Sequence, residues 1–242
     1  MGALTLLATF VVFERRAAVP LVRLGLLRNR WVAGADLVVA LAAAGQFSAF
    51  YFVSLYLQQT LGLSAAATGV AFVPFSAGVI AGTVLATRLG DGRSPRTLLI
   101  PGALLAAGGL AWFALLNADG SFVTDILGPS LLTSIGFGLC LAPIATAATT
   151  GVATTEAGMA SGLMNSARQI GGAVGLAALA TIAAQHTGAA TTPQAVTAGY
   201  AVGLAIGAVL LVLAATAAAV VLPRRAAIDH VPTSAPTTVA AE

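Results

Sequence analysis

Lysine is absent from this 242-residue sequence, and cysteine occurs once. Charged residues make up 8% of the chain, against about 25% in an ordinary soluble domain. Each scarcity removes a class of protein. A single cysteine, Cys140, allows no disulfide within the chain and no cysteine-built metal cluster. Set inside an apolar run, it reads as a small packing residue. The two histidines, His186 and His230, fall in a connection and in the C-terminal tail, with no carboxylate at ligand spacing. HExxH, GxSxG and P-loop patterns are missing, and no nucleophile–base set is visible, so the sequence offers an enzyme no foothold. The net charge of +3 comes from eleven arginines scattered through short connections. Its meaning is topological, not an affinity for nucleic acid.

Apolar length is what the chain has instead. Hydrophobic residues make up 58% of it and the mean hydropathy is +0.96. Runs of about 20 apolar residues, enough to cross a bilayer, recur from end to end. The fold class is an all-α polytopic membrane protein. Residues 1–13 cover only roughly 20 Å of a hydrocarbon core near 30 Å, and read as the end of a truncated transmembrane helix. Residues 14–30 hold five arginines and a proline, and read as a loop with room for a short interfacial helix. Six full spans follow, over 31–58, 65–89, 97–116, 122–149, 157–185 and 195–222. Residues 223–242, rich in Pro, Thr and Ala, have no periodicity and read as a disordered tail.

The connections at 59–64, 117–121 and 186–194 contain no arginine, whereas 14–30, 88–96 and the tail hold every arginine except Arg168. By the positive-inside rule the basic connections and the C-terminus are cytoplasmic. Trp31 then marks the inner interface, and Tyr56 and Trp112 the outer one.

Few polar groups enter the spans. Arg168 is the costliest, at about 2.5–3.5 kcal/mol near mid-membrane on insertion scales. At 100° per residue Gly158, Ser161, Gly162, Asn165, Arg168, Gln169 and Gly172 share one face of the fifth span, with Leu163, Ala167, Ile170 and Val174 opposite. The first face suits a helix or a watery cavity, the second lipid. Asp36 lies a turn and a half into the first span, with Ala40, Ala43, Phe47 and Phe50 continuing its face and Gln46 to one side. Its depth matches that of Arg168, which makes the two candidates for an ion pair; solvation of Asp36 by headgroup water is the competing expectation. Asp125 reads as interfacial. In ATRLGDGRSPRT, residues 86–97, Gly90 and Gly92 permit positive φ, Pro95 fixes a turn, and Asp91 sits among Arg88, Arg93 and Arg96. That arrangement suits a charge network or a helix cap. Gly78/Gly82, Gly158/Gly162 and Gly199/Gly203/Gly207 are small-residue ridges suited to close helix packing. Pro74, Pro129 and Pro143 fall within spans and are expected to bend or break them.

Four stretches resemble a known family. RLGDGRSPR is a degenerate form of the G-x-x-x-D-R-x-G-R-[RK] cytoplasmic signature of the major facilitator superfamily: Gly90-Asp91 stands, Arg93 comes one place late, and Arg96 supplies the trailing base. Residues 156–175, E-x-GMASGLMNSARQIGGAVG, resemble the penultimate-helix segment of its fourteen-helix drug:proton antiporter family. Residues 56–82 and the basic segment 14–30 fit the same family. The resemblance implies the six-helix C-terminal bundle of a major facilitator fold, organised as a 3+3 repeat, and the C-terminal half of a proton-coupled exporter of amphipathic small molecules in the plasma membrane. No cofactor is implied beyond the coupling proton. The site would lie between two halves, of which the N-terminal one is absent. A non-transporting remnant or an accessory subunit is the alternative. The resemblance further implies that the first and fourth spans line the cavity, through Asp36, Gln46, Phe47, Phe50 and the neighbourhood of Thr133. The second and fifth would meet the other half, bringing Asn165, Arg168 and Gln169 to the interface, and the loop holding Arg88, Gly90, Asp91, Arg93 and Arg96 would act as a conformational latch.

Overall fold

The computed structural model describes residues 30–149, 152–190 and 192–222, with isolated positions 2, 5, 6, 9, 12 and 13. The expectations for a loop over 14–30, except Arg30, and a tail over 223–242 lie outside the described residues, as does most of the helix over 1–13; Arg30 opens the first helix and is not part of a loop. The described chain is helical. α1 (Arg30–Leu55) continues into a π-helical turn, Tyr56–Thr60; α2 (Ala65–Ala71) and α3 (Val73–Gly90) form one interrupted span; α4 is Pro95–Phe113. A π-helical turn, Phe122–Leu127, leads into α5 (Gly128–Thr149), a short 3-10 turn into α6 (Ala157–Thr187), and α7 is Pro193–Val221. Six of these segments are long and apolar enough to cross a membrane.

Local chemistry explains the ends. Ser64 Oγ accepts from the Ala67 N–H at 3.2 Å and Thr192 Oγ1 from the Ala195 N–H at 3.3 Å, each meeting one of the unpaired donors that open a helix. Pro95 and Pro193 occupy first-turn positions, where a missing N–H removes nothing. Pro74 separates α2 from α3: its ring is incompatible with the carbonyl of Val70, so the helix closes on Phe72, whose N–H turns back to Gly69 at 3.2 Å. Pro143 lies inside α5 without ending it, and Pro129 falls in that helix's first turn. The fifth span runs to Thr187, which puts His186 in a helix and not in a connection.

α1 packs between α6 and α7, α5 packs between α3 and α4, and α4 meets α7. Exchanging the first three spans for the last three maps these pairings onto one another. Helices in lipid gain little from burying apolar surface, so close backbone approach has to supply the attraction. Glycines provide it. Gly82 faces Gly138 between α3 and α5, Gly136 faces Ala106 between α5 and α4, and Gly171 and Gly175 seat Ala40 and Ala44 of α1 on α6. At one end Phe52, Tyr56, Leu110, Phe113, Leu204 and Leu211 form the larger core. Toward the arginine-bearing end it narrows to an alanine-rich cluster with Ala35, Ala103, Ala214 and Ala218.

Candidate transport face

Asp36 is 8% exposed, and neither carboxylate oxygen has a hydrogen-bond partner. The face it shares with Ala40 and Phe47 packs on α6, where Ala40 meets Gly171 and Phe47 meets Gly172. One turn before those glycines Arg168 is exposed, as are Asn165 and Gln169. The ion pair expected between Asp36 and Arg168 is therefore not formed: the buried stripe of α6 runs through Ala160, Gly172, Leu179 and Ala183, and Arg168 lies beside it. Burial also departs from solvation by headgroups. Both carboxylate oxygens are buried without a hydrogen-bond partner among the described residues, a costly placement for an ionisable group.

The other cavity candidates divide. Gln46 and Phe47 are half-buried. Phe50 is 39% exposed and stacks on Phe75 and Phe72 at 4.8 and 5.5 Å between centroids; Phe75 continues to Phe137 at 6.3 Å. These contacts tie the first, second and fourth spans through an aromatic cluster that sequence reasoning missed beyond Phe50. The signal was present as Phe72 and Phe75, one helical turn apart around Pro74. Thr133 does not face open space. It is fully buried between α5 and α4, where its side chain would collide with any Cβ at Gly109. Tyr56, expected at the outer interface, turns inward at the end of its span. It fills the core at 0% exposure and donates its hydroxyl to the Asn117 carbonyl at 2.8 Å, leaving Trp112 exposed near that end.

At the arginine-bearing end, the signature loop is a tight turn and not a charge network. Arg93 donates to the Leu89 carbonyl at 2.9 Å, capping α3, and its N–H returns to Gly90 at 3.0 Å. Asp91 forms no hydrogen bond or ion pair with Arg88, Arg93 or Arg96 among the described residues; it is exposed at the C-cap of α3, beside the turn at Gly92, whose φ is +69°. Behind the loop a cavity of about 250 Å³ is lined by Thr87, Asp91, Arg93, Pro143 and Thr146. Replacing Gly92 with Ala forces an L-residue into the left-handed region. The expected loss is about 1–2 kcal/mol, read as a lowered unfolding temperature, with Gly90→Ala milder because Gly90 is helical.

Burial differs sharply between spans. Only 22% of positions in the second span's most apolar window and 17% in the fifth's are buried, against 50, 50, 56 and 39% in the first, third, fourth and sixth. Among the described residues, nothing lies within 4 Å of where a Cβ at Gly158 or Gly162 would sit. Their ridge and the adjoining Asn165, Arg168 and Gln169 are thus uncovered, while Gly172 of the same predicted face packs on Phe47. Ile170 and Val174, each 64% exposed, form a separate apolar strip.

This geometry defines a polytopic α-helical bundle whose two halves pack in matching pairs, with an acid buried in its first span. A profile of the Major Facilitator Superfamily matches residues 3–176, and the chain belongs to that family. It is 37% identical over 237 residues to the puromycin resistance protein pur8 of Streptomyces alboniger, covering 93% of this chain and 47% of the relative. It is 41% identical over 187 residues to the cephamycin export protein CmcT of Amycolatopsis lactamdurans, covering 77% and 38%. It is 33% identical over 216 residues to the lincomycin resistance protein of Streptomyces lincolnensis, covering 88% and 44%. The chain spans less than half the length of these relatives.

Proposed function

We propose that this chain is the C-terminal half of a proton-coupled exporter of amphipathic small molecules, working by alternating access against a second membrane bundle. The uncovered face of α6 carries the reading. A ridge of small residues beside an exposed arginine is unfavourable against lipid and well suited to a closely packed helix. The low burial of the pseudo-equivalent second span extends the same surface. Asn165, Arg168 and Gln169 form the interface or gate, Asp36 handles the coupling proton, and Gln46, Phe47 and Phe50 line the substrate path. The 88–96 loop acts as a latch at the cytoplasmic end, with the arginine-bearing loops inside the cell. Relatives named for resistance to, or export of, antibiotics support a small-molecule substrate carried across the plasma membrane.

The test is efflux from proteoliposomes under an imposed pH gradient, using a fluorescent amphipathic amine. The chain alone is expected to give none, and the chain joined to the N-terminal bundle of a puromycin- or cephamycin-type relative to give gradient-dependent efflux. Efflux from the isolated monomer would refute the two-bundle reading. Silence from the joined protein, once folded, would favour an accessory or non-transporting role.

A further inference from the structure

At the arginine-bearing end, away from the transport face, α7 ends between the starts of α1 and α4. There a cavity of about 620 Å³ is bounded by Arg30, Trp31, Arg96, Val220, Val221 and Leu222. Its position follows from packing: α7 contacts both α1 and α4, and Val221 closes directly on Gly34. Two guanidiniums thus converge on one opening from different helices. Arg30 lies over the Trp31 ring at 4.3 Å from its centroid, which orients it without neutralising it. Neither arginine has a carboxylate partner among the described residues. In the sequence Arg28 precedes Arg30 by two residues, and Arg224-Arg225 follow Leu222 after one proline.

The walls are greasy where the rim is basic. Val220 is 79% exposed, and Leu213 and Val209 continue its side of α7 at 48% and 56%. Val209, Leu213, Thr216 and Val220 fall on one stripe at helical spacing, and Thr216 turns its hydroxyl back to the Val212 carbonyl at 2.8 Å, so a largely apolar track runs from the cavity along the outside of the bundle. A free anion would use the arginines and leave that track without purpose. A molecule with a phosphate at one end and hydrocarbon at the other uses both.

We propose that this cavity is a binding site for an anionic phospholipid. Arg30 and Arg96 hold its phosphate, Trp31 sits at the level of its glycerol, and an acyl chain lies along Val220, Leu213 and Val209. Two arginines recognise a phosphate by charge-assisted hydrogen bonds, and basic pockets between spanning helices are suited to anionic headgroups. The site needs no second bundle; it shares Arg96 with the 88–96 loop, so its test reads lipid retention and not efflux.

The experiment is native mass spectrometry of the full chain released from nanodiscs containing equal amounts of phosphatidylglycerol and phosphatidylcholine. Retention of one phosphatidylglycerol is expected. Arg30→Gln combined with Arg96→Gln should lower its apparent affinity about 25-fold, at roughly fivefold per arginine near an anionic surface. The double lysine variant, which keeps the charge, should recover most of the binding. Arg93→Gln, outside the cavity, should leave it unchanged. Inorganic phosphate in millimolar excess should not displace the lipid. Equal retention of both lipids, or undiminished retention in the double glutamine variant, overturns the site. Displacement by inorganic phosphate overturns the acyl track and leaves a simple anion site.

Discussion

Gly138→Leu is expected to unfold the bundle in mild detergent at a temperature roughly 10 °C lower, whereas Gly162→Leu on α6 is expected to change nothing in the same assay. A Cβ at Gly138 would strike the Val79 carbonyl and lie 2.9 Å from Gly82 Cα and Thr83 N. All three are backbone atoms of α3, so no side-chain rotation relieves the contact, and the two helices must separate. Overpacking of this kind costs about 1–3 kcal/mol and occasionally more. For a chain of this size each kilocalorie corresponds to roughly 2–4 °C. Parting the helices also removes the reach of Thr83 Oγ1 to the Gly138 carbonyl, at 3.4 Å. Gly162, by contrast, has nothing within 4 Å. Thermal unfolding followed by size-exclusion retention checks both. A normal melting temperature for Gly138→Leu would contradict the close α3–α5 approach, and a lowered one for Gly162→Leu would show that its face is already covered. In the joined two-bundle protein the order of importance changes: Gly162→Leu should fold normally and lose efflux, because its added side chain occupies space the partner helix needs.

The contrast between these two glycines shows where sequence reading succeeds and where it stops. Both belong to apolar segments rich in small residues, and the chain alone gives no sign that one is buried and the other open. Span boundaries were legible to within a few residues because apolar run length and arginine placement act locally. The break at Pro74 was legible for the same reason. Orientation of the faces was only partly so. In water, an apolar residue on a helix points inward, and the pattern carries a sign. In lipid, Ile170 facing hydrocarbon and Leu179 facing the core look alike, so the periodicity marks that faces differ without saying which is packed. Thr133, placed at the cavity by the family resemblance, is instead sealed against Gly109. The exposed polar face of α6 was legible because Asn165, Arg168 and Gln169 are not apolar and so keep the sign. Asp91 departed for a different reason: charge proximity in sequence does not survive a turn through Gly92 that sends Arg93 back to the Leu89 carbonyl.

Neutralising Asp36 separates stability from function in the opposite direction to Gly138→Leu. An acid held in place for structure would have partners, and replacing it would lower stability. Asp36 has none, with both oxygens buried and unbonded. An unpaired buried polar group costs about 1–3 kcal/mol, and a charged one more. Asp36→Asn keeps the shape and removes the ionisable proton, so the isolated chain is expected to be at least as stable as before, gaining up to about 2 kcal/mol. In the joined protein the same change should abolish gradient-driven efflux while leaving substrate exchange down its own concentration gradient. Arg168→Gln tests the pairing that the structure does not show. With Arg168 exposed and the carboxylate unbonded, the stability effects of the two substitutions should add to within about 0.5 kcal/mol. A larger coupling in the isolated chain would mean that the two charges meet after all. A clear loss of stability in Asp36→Asn would mean that the carboxylate anchors the α1–α6 seam, and the proton-handling role would then have to move to another residue.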